Sequence, residues 1–258
     1  MGVLNVTPDS FSDGGRFFDP EAAVGRGVEM AAEGADLVDV GGESTRPGSD
    51  PVPATEERDR VVPVIKRLAA ELDVPVSIDT QKADVAEAAL DAGASIVNDV
   101  SAGRDPRMFE VVGTAGAGIV LMHMQGDPKT MQVAPQYDDV VTEVRDGLAS
   151  RLRAAEEAGL DRERLAIDPG IGFGKTLEHN LALIRHVDAL AELGRPVVVG
   201  PSRKSFIGAL TGASVEERLP GTAGAVAYLA WRGANVVRVH DVREMAQVVS
   251  VIDAIVRA

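Results

Sequence analysis

Residues 34–48 read Gly34-Ala35-Asp36-Leu37-Val38-Asp39-Val40-Gly41-Gly42-Glu43-Ser44-Thr45-Arg46-Pro47-Gly48. A Gly-Ala pair closes a helical stretch, a short β-branched run follows, and the chain then turns polar and glycine-rich. Glycine after a helix supplies the left-handed residue that ends it. A short continuous apolar run reads as a strand covered on both faces, as in a parallel sheet. The module recurs: Gly93-Ala94 precede Ile96-Val97-Asn98, Gly116-Ala117 precede Ile119-Val120-Leu121, and Gly233-Ala234 precede Val236-Val237. Val3-Leu4, Val76-Ser77-Ile78, Leu165-Ala166-Ile167 and Val197-Val198-Val199 are further runs of this kind, which makes eight candidate strands.

Helices are expected between them. Asp19-Pro20-Glu21 sets a cap, a proline for the first turn and an acid at the positive end of the dipole. Thr55-Glu56-Glu57 and Asp241-Val242-Arg243-Glu244 read as similar starts. After Asp139, residues Val140, Val144, Leu148, Leu152 and Ala155 recur at helical spacing. Eight alternating β and α units in 258 residues favour an α/β fold of one domain over residues 1–258, a (β/α)8 barrel rather than a doubly wound sheet.

Composition narrows the function. Hydrophobic residues make up 45 % of the chain and mean hydropathy is +0.03, enough for a full core. No apolar stretch is long enough to span a bilayer. The opening MGVLNVTPDS has no basic and apolar leader pattern, and cysteine is absent, so a cytosolic protein is expected. The missing cysteines exclude disulfides, thiolate zinc sites and a cysteine nucleophile. A net charge of −14 disfavours a broad electrostatic grip on nucleic acid or anionic lipid. An anionic substrate therefore needs local cations or a metal.

In a barrel the loops after the C-terminal strand ends build the site, and those are the places where polar residues collect. Strand 1 runs into residues 5–15, strand 2 into Gly41–Gly48, and strand 3 ends at Asp79-Thr80. Strand 4 ends at Asn98-Asp99 and strand 5 at His123-Met124-Gln125-Gly126. Strand 6 ends at Asp168–Lys175, strand 7 at Gly200–Ser205 and strand 8 at Arg238-Val239-His240. Taken singly, an Asp at a strand end is most simply a helix cap, and His123 and His240 are most simply structural. His179 and His186 read as helix-surface residues. Together, Asp79, Asn98 and Asp168 present acceptors and donors to one pocket. Unpaired buried carboxylates are costly, so they call for a partner rich in N–H groups. A flat heterocycle with an amide and an exocyclic amine fits. A magnesium cage is the alternative for the acids. Residues 169–176, Pro-Gly-Ile-Gly-Phe-Gly-Lys-Thr, have proline where a phosphate loop needs its first glycine. These glycines read instead as a turn that lets a ligand approach backbone. Lysine is scarce, five against 21 arginines. Lys204 at a strand end is therefore suggestive, a solvated Arg203-Lys204 pair being the alternative.

These motifs together resemble the dihydropteroate synthase family over essentially the whole chain. The two most specific are NVTPDSFSDGG at residues 5–15 and GGESTRPG at residues 41–48. The others lie at residues 77–80, 97–99, 122–132, 168–176, 202–208 and 238–242. The resemblance implies a (β/α)8 barrel, usually a homodimer, that condenses 6-hydroxymethyl-7,8-dihydropterin pyrophosphate with 4-aminobenzoate. The products are 7,8-dihydropteroate and pyrophosphate, in folate synthesis, with Mg2+ as cofactor. It implies pterin contacts from Asp79, Asn98, Asp168 and Lys204, with Met122 and Phe173 as apolar walls and the Arg238 guanidinium stacked on the ring. Asn5 would ligate magnesium, and Thr45, Arg238 and His240 would hold pyrophosphate oxygens. Phe11, Asp13, Arg46 and Pro47 would come from two closing loops, with aminobenzoate near Phe11, Pro47, Lys204 and Ser205. Asp13, Arg46, Lys204 and Arg238 are the residues expected to carry the chemistry. Sulfonamides, which share the aryl-amine shape, are expected to compete with aminobenzoate. The family usually has a further segment ahead of the first strand, which this sequence does not show. A pterin-dependent methyltransferase would lack the residue 5–15 and 41–48 loops and the Ser202-Arg203-Lys204 pattern. A non-catalytic pterin-binding paralogue would have lost loop residues, Lys204 or Arg238.

Overall fold

The computed structural model describes residues 1–7, 19–44 and 48–257. Phe11, Asp13, Thr45, Arg46 and Pro47 lie outside the described residues. Among those described, the strands are β1 (Gly2–Asn5), β2 (Val38–Gly41), β3 (Val76–Asp79), β4 (Ile96–Asp99), β5 (Gly118–Met122), β6 (Leu165–Asp168), β7 (Val198–Val199) and β8 (Val236–Val237). The helices are α1 (Pro20–Ala32), α2 (Ala54–Glu71), α3 (Ala83–Asp91), α4 (Met108–Ala115), α5 (Val140–Glu157), α6 (Leu177–Arg185), α7 (Asp188–Ala191), α8 (Ser205–Thr211), α9 (Leu219–Trp231) and α10 (Val242–Arg257). No described helix is long and apolar enough to cross a membrane.

Strands β1 to β6 pair in order and in parallel, as do β7 and β8. Single bridges join these two sheets at both edges: Ile167 with Val197, and Gly2 with Val239. At those seams the Ile167 N–H donates to the Pro196 carbonyl at 2.9 Å, and the Val3 N–H to the Val239 carbonyl at 2.9 Å. The eight strands thus close into the expected barrel, which leaves no sheet edge exposed. The expected C-caps hold as well: Gly34, Gly93, Gly116 and Gly233 all have positive φ.

Two helix starts differ from expectation. α2 begins at Ala54 behind Pro53, with Thr55 inside the helix and making no cap bond. Glu57, in the first turn of α2, is buried and bridged to Lys82, which also holds Glu43. At α10, Asp241 accepts the Met245 N–H with its carbonyl, while its carboxylate turns away to Arg203. His179 is not a free surface residue; it forms a capping box with Thr176 at the head of α6.

The main core lies between the strands and the helices, where Leu4, Val40, Ile78, Leu121 and Ile167 meet helical residues such as Ile65 and Leu148. A second, separate cluster fills the barrel's lower interior: Met1, Leu37, Ile96, Val120, Ala166, Val198 and Val236. Side chains on a strand return to the same face every second residue. Two residues beyond this apolar tier, the same interior face carries Asp39, Asn98, Met122, Asp168, Gly200 and Arg238. This period-two step makes the upper interior of the barrel polar.

Candidate active site

The polar tier is tightly registered. Asn5, Gly41, Asp79 and Asn98 are neighbours in one row across β1 to β4, and Met122 stands beside Asp168 across β5 and β6. At its centre Arg238 forks between two carboxylates: Nε donates to Asp39 Oδ2 and Nη2 to Asp79 Oδ2, both at 2.6 Å. Asp39 Oδ2 also accepts the Asn98 amide at 3.0 Å. Asp39 is fully buried and so ties together two residues of the expected pterin pocket. The sequence reading missed it, having counted Asp39 only as part of a strand. The available signal was a single carboxylate inside an apolar strand run, on the face that leads to the mouth.

Three buried acceptor or donor oxygens of this tier have no hydrogen-bond partner among the described residues: Asp39 Oδ1, Ser77 Oγ and Asp79 Oδ1. Leaving such an atom unpaired costs about 1–3 kcal/mol, a cost a ligand donor would relieve. Burial pushes the Asp79 carboxyl up to about 7, against the pull of Arg238 and with Asp39 adding to the rise. Burial also raises Asp168, opposed by Lys204 and by the Gly170 N–H that its Oδ1 accepts at 2.7 Å. The carboxylates in turn raise Arg238 despite its burial, and it stays charged.

Lys204 settles on the mouth side. Arg203 holds a left-handed backbone at φ 57°, a conformation that costs a non-glycine residue about 1–2 kcal/mol. It is pinned there by its Nε to Asp241 at 3.0 Å, by its N–H to Thr222 Oγ1 at 3.1 Å, and by Arg218 on its carbonyl at 3.0 Å. This kink sends Arg203 outward and Lys204 inward. The two are therefore not a solvated pair. Lys204 donates to the Ile171 carbonyl and sits 4.5 Å from the centre of the Phe173 ring. Burial lowers it to about 8, with Asp168 holding it up.

Met122 joins Val100, Met124, Met131 and Phe173 in a small apolar cluster at the mouth. The Phe173 loop is pressed against the end of β5. A Cβ at Gly170 would collide with the His123 carbonyl, and one at Gly174 would lie 2.6 Å from the Gln125 carbonyl, so only glycine fits these positive-φ positions. Four successive loop carbonyls are each taken by a different side chain: Ile171 by Lys204, Gly172 by Gln132, Phe173 by Lys175 and Gly174 by Tyr137. His240 is anchored through Nδ1 to Ser202 Oγ at 3.0 Å. Ser205 is exposed on the rim as the first residue of α8, and Asn5 is half-buried at the end of β1. Asp79, Asn98, Met122, Asp168, Phe173, Lys204 and Arg238 are thus gathered at one mouth, with Ser205, His240 and Asn5 at its edge.

A closed parallel barrel with buried acceptors and cations at its C-terminal mouth defines a class, and residues 1–240 match the pterin binding enzyme family. The dihydropteroate synthase of Mycobacterium leprae is 51 % identical over 262 residues, covering 98 % of this chain and 92 % of that protein. A Xanthomonas albilineans dihydropteroate synthase solved with 4-aminobenzoic acid superposes with a TM-score of 0.93 at 50 % identity, covering 98 % of this chain and 91 % of that one. The same organism's enzyme in complex with 7,8-dihydropteroate gives a TM-score of 0.90 at 48 % identity, covering 98 % and 92 %. The chain belongs to the dihydropteroate synthase family.

Proposed function

We infer that this chain condenses 6-hydroxymethyl-7,8-dihydropterin pyrophosphate with 4-aminobenzoate, releasing pyrophosphate and 7,8-dihydropteroate. The observation that carries this reading is the buried acceptor set of Asp79, Asn98 and Asp168 facing Arg238 and Lys204. A pterin offers that set an amide and an amine edge, and its flat faces suit the Met122 and Phe173 walls. Arg238 commits Nε and Nη2 to carboxylates, which leaves its plane for the ring. A pterin-dependent methyltransferase or a non-catalytic paralogue is disfavoured by the retained Lys204 and Arg238, together with the intact 5–15 and 41–48 motifs.

The arylamine is a weak nucleophile, so departure of pyrophosphate carries the barrier. Asp79 and Asp168 favour positive charge on the pterin as its C–O bond breaks. His240 and Arg238 hold pyrophosphate oxygens; Thr45, Arg46, Asp13, Phe11 and Pro47 lie outside the described residues and would contribute by the family pattern. Ser205 and Lys204 border the aminobenzoate. Excluding water protects the cationic ring from hydrolysis. No side chain needs to act as a general base, because the amine becomes acidic once alkylated. The described residues contain no group of three or more acidic or histidine ligands that would cage a metal. Asn5 offers a neutral amide oxygen, and magnesium is commonly held by few protein oxygens plus substrate phosphates; the donor set fits. Asn5 would hold Mg2+, which when bound neutralises pyrophosphate charge. The test is pyrophosphate release from the two substrates, with and without magnesium; no release under either condition overturns the reading.

A homodimer is the expected assembly. It is supported by an apolar groove of about 230 Å³ between α6, α8 and α9, lined by Leu181, Ile184, Phe206 and Leu210. Leu210 is exposed beside it. Sedimentation of wild type against Leu210→Glu tests this; a wild-type monomer refutes it. The chemistry requires only small-molecule substrates.

A further inference from the structure

Lys175 is a buried ammonium that the reaction as described does not use. It is 3 % exposed, and its three donors meet three acceptors: the Phe173 carbonyl at 2.9 Å, the His123 carbonyl at 3.3 Å and His123 Nδ1 at 3.3 Å. Two of these lie at the end of β5 and one in the loop after β6. The lysine therefore bolts together the two segments that carry Met122, Met124 and Phe173, which form the apolar cluster at the mouth. It also lies close enough to feel Asp168 and Lys204.

We propose that Lys175, through His123 and the Phe173 carbonyl, is a positioning residue that sets the apolar wall against which the pterin ring packs. The inference rests on the pterin reading above and names what holds one side of that pocket in place. Several features agree. Gly170 and Gly174 admit the loop close enough to His123 and Gln125 for one ammonium to reach both segments. Burial, then the Lys175 charge, pushes His123 down to about 3, so its ring is neutral and Nδ1 accepts. Burial lowers Lys175 itself to about 7, with Asp168 opposing and Lys204 assisting. The charged groups around this pair are Asp168 on β6, Lys204 after β7 and Arg104, which donates to the Met124 and Gly126 carbonyls. Arg238 faces the same Asp168.

The experiment measures calorimetric affinity for 6-hydroxymethylpterin with wild type and Lys175→Met, each checked for folding by circular dichroism. A misplacement of about 1 Å can cost about a hundredfold in rate, and Lys175→Met is expected to weaken pterin binding roughly tenfold or more. The loss should be larger near pH 6, where wild-type Lys175 is charged, than near pH 9, above its value of about 7. Asp79 and Lys204 titrate in both proteins, so the comparison is made as the wild-type-to-variant ratio at each pH, with Asp168 and Lys204 also feeling the loss of the Lys175 charge. A purely structural lysine would give a loss that does not change with pH. Equal affinity in a folded variant, or a pH-independent loss, overturns the proposal. If Lys175→Met does not fold, His123→Leu keeps both carbonyl acceptors and removes the imidazole with its Nδ1; unchanged affinity there overturns it equally. Failure of the wild type to bind pterin at all overturns the functional reading first, and this proposal with it.

Discussion

Replacing Asp39 by Asn probes the centre of the site without changing its shape. Asp39 Oδ2 accepts from both Arg238 and Asn98, while Oδ1 has no partner. An asparagine can place its amide nitrogen at the Oδ1 position and keep both bonds, so the substitution removes charge alone. Hydrogen bonds to charged groups are worth about 1.5–3 kcal/mol, against about 0.5–1.5 for neutral ones. Breaking a buried ion pair outright costs about 3–5 kcal/mol. Here Asp79 remains as a second counter-charge, and the Arg238 side chain keeps 21 % exposure. The expected loss is therefore about 1–3 kcal/mol, a fall in Tm of roughly 2–10 °C for a domain of this size. Asp39→Ala also strands the Arg238 and Asn98 donors, and should cost about 3–5 kcal/mol.

The same substitution has an electrostatic signature. The Asp39 charge contributes to the raised pKa of Asp79. With that charge gone, Arg238 acts on Asp79 undivided, and the Asp79 titration should move down from about 7. A pterin donating N–H groups binds the ionised carboxylate. Its affinity should thus rise with pH through about 7 in wild type, and at lower pH in Asp39→Asn. The assay is calorimetry with a pterin analogue across that range, beside thermal unfolding. If Asn and Ala prove equally destabilising, or the midpoint stays put or moves up, the assignment of Asp39 as the charge that orients Arg238 is wrong.

Asp168→Asn should leave the fold intact, because its amide oxygen can still accept the Gly170 N–H, yet weaken pterin binding by about 2–4 kcal/mol through mismatched donors, read by calorimetry. Phe11→Ala or Pro47→Ala should raise the KM for aminobenzoate while leaving pterin pyrophosphate affinity nearly unchanged; equal loss of both substrates in steady-state kinetics would contradict this. Asp79 has a folded pKa near 7 against an ordinary value of 3.8, so the native state holds the extra proton between them. Its contribution to stability is therefore complete below the ordinary value and is lost as pH rises through about 7. Urea titrations should show wild type losing stability relative to Asp79→Asn over that window. Gly170→Ala should lower the yield of folded protein sharply, since its Cβ meets the His123 carbonyl in a positive-φ backbone; near-normal stability would mean the loop does not lie against β5.

The barrel was legible because two local signals agree at four of the eight units, a glycine that ends a helix and an apolar run that follows it, and a similar apolar run marks the other four. The mouth was legible because the chain becomes polar at the same point in each unit. Asp39 and Lys175 were not legible for a shared reason. Each looks ordinary next to its sequence neighbours and takes its role from partners that only the closed barrel supplies. Asp39 meets Arg238 from the far end of the chain, and Lys175 meets His123 one strand earlier. The Lys82, Glu43 and Glu57 cluster escaped in the same way. Thr55 misled because a hydroxyl followed by acids satisfies the pattern of a cap, while Pro53 with its extended backbone already starts α2.

The charges of the mouth also bear on how its two kinds of ligand divide. In and around the upper interior, three carboxylates (Asp39, Asp79 and Asp168) face three cations (Arg238, Lys204 and Lys175). That set is balanced before any ligand enters, and it suits a neutral heterocycle rich in donors. It has no surplus of positive charge for a pyrophosphate, on a chain whose net charge is −14. On the proposed function, added countercharge for the pyrophosphate would come from Arg46 in the residue 41–48 motif and from magnesium at Asn5, with Arg238 and His240 donating to its oxygens. If recruiting Arg46 fixes backbone, each residue fixed would cost about 1–2 kcal/mol of entropy. Pyrophosphate can offset that cost through charge, whereas aminobenzoate is too small to do so. The expected outcome is that aminobenzoate binds measurably only once pterin and pyrophosphate with magnesium are present; tight binding to the bare enzyme, read by calorimetric titration, would refute this order.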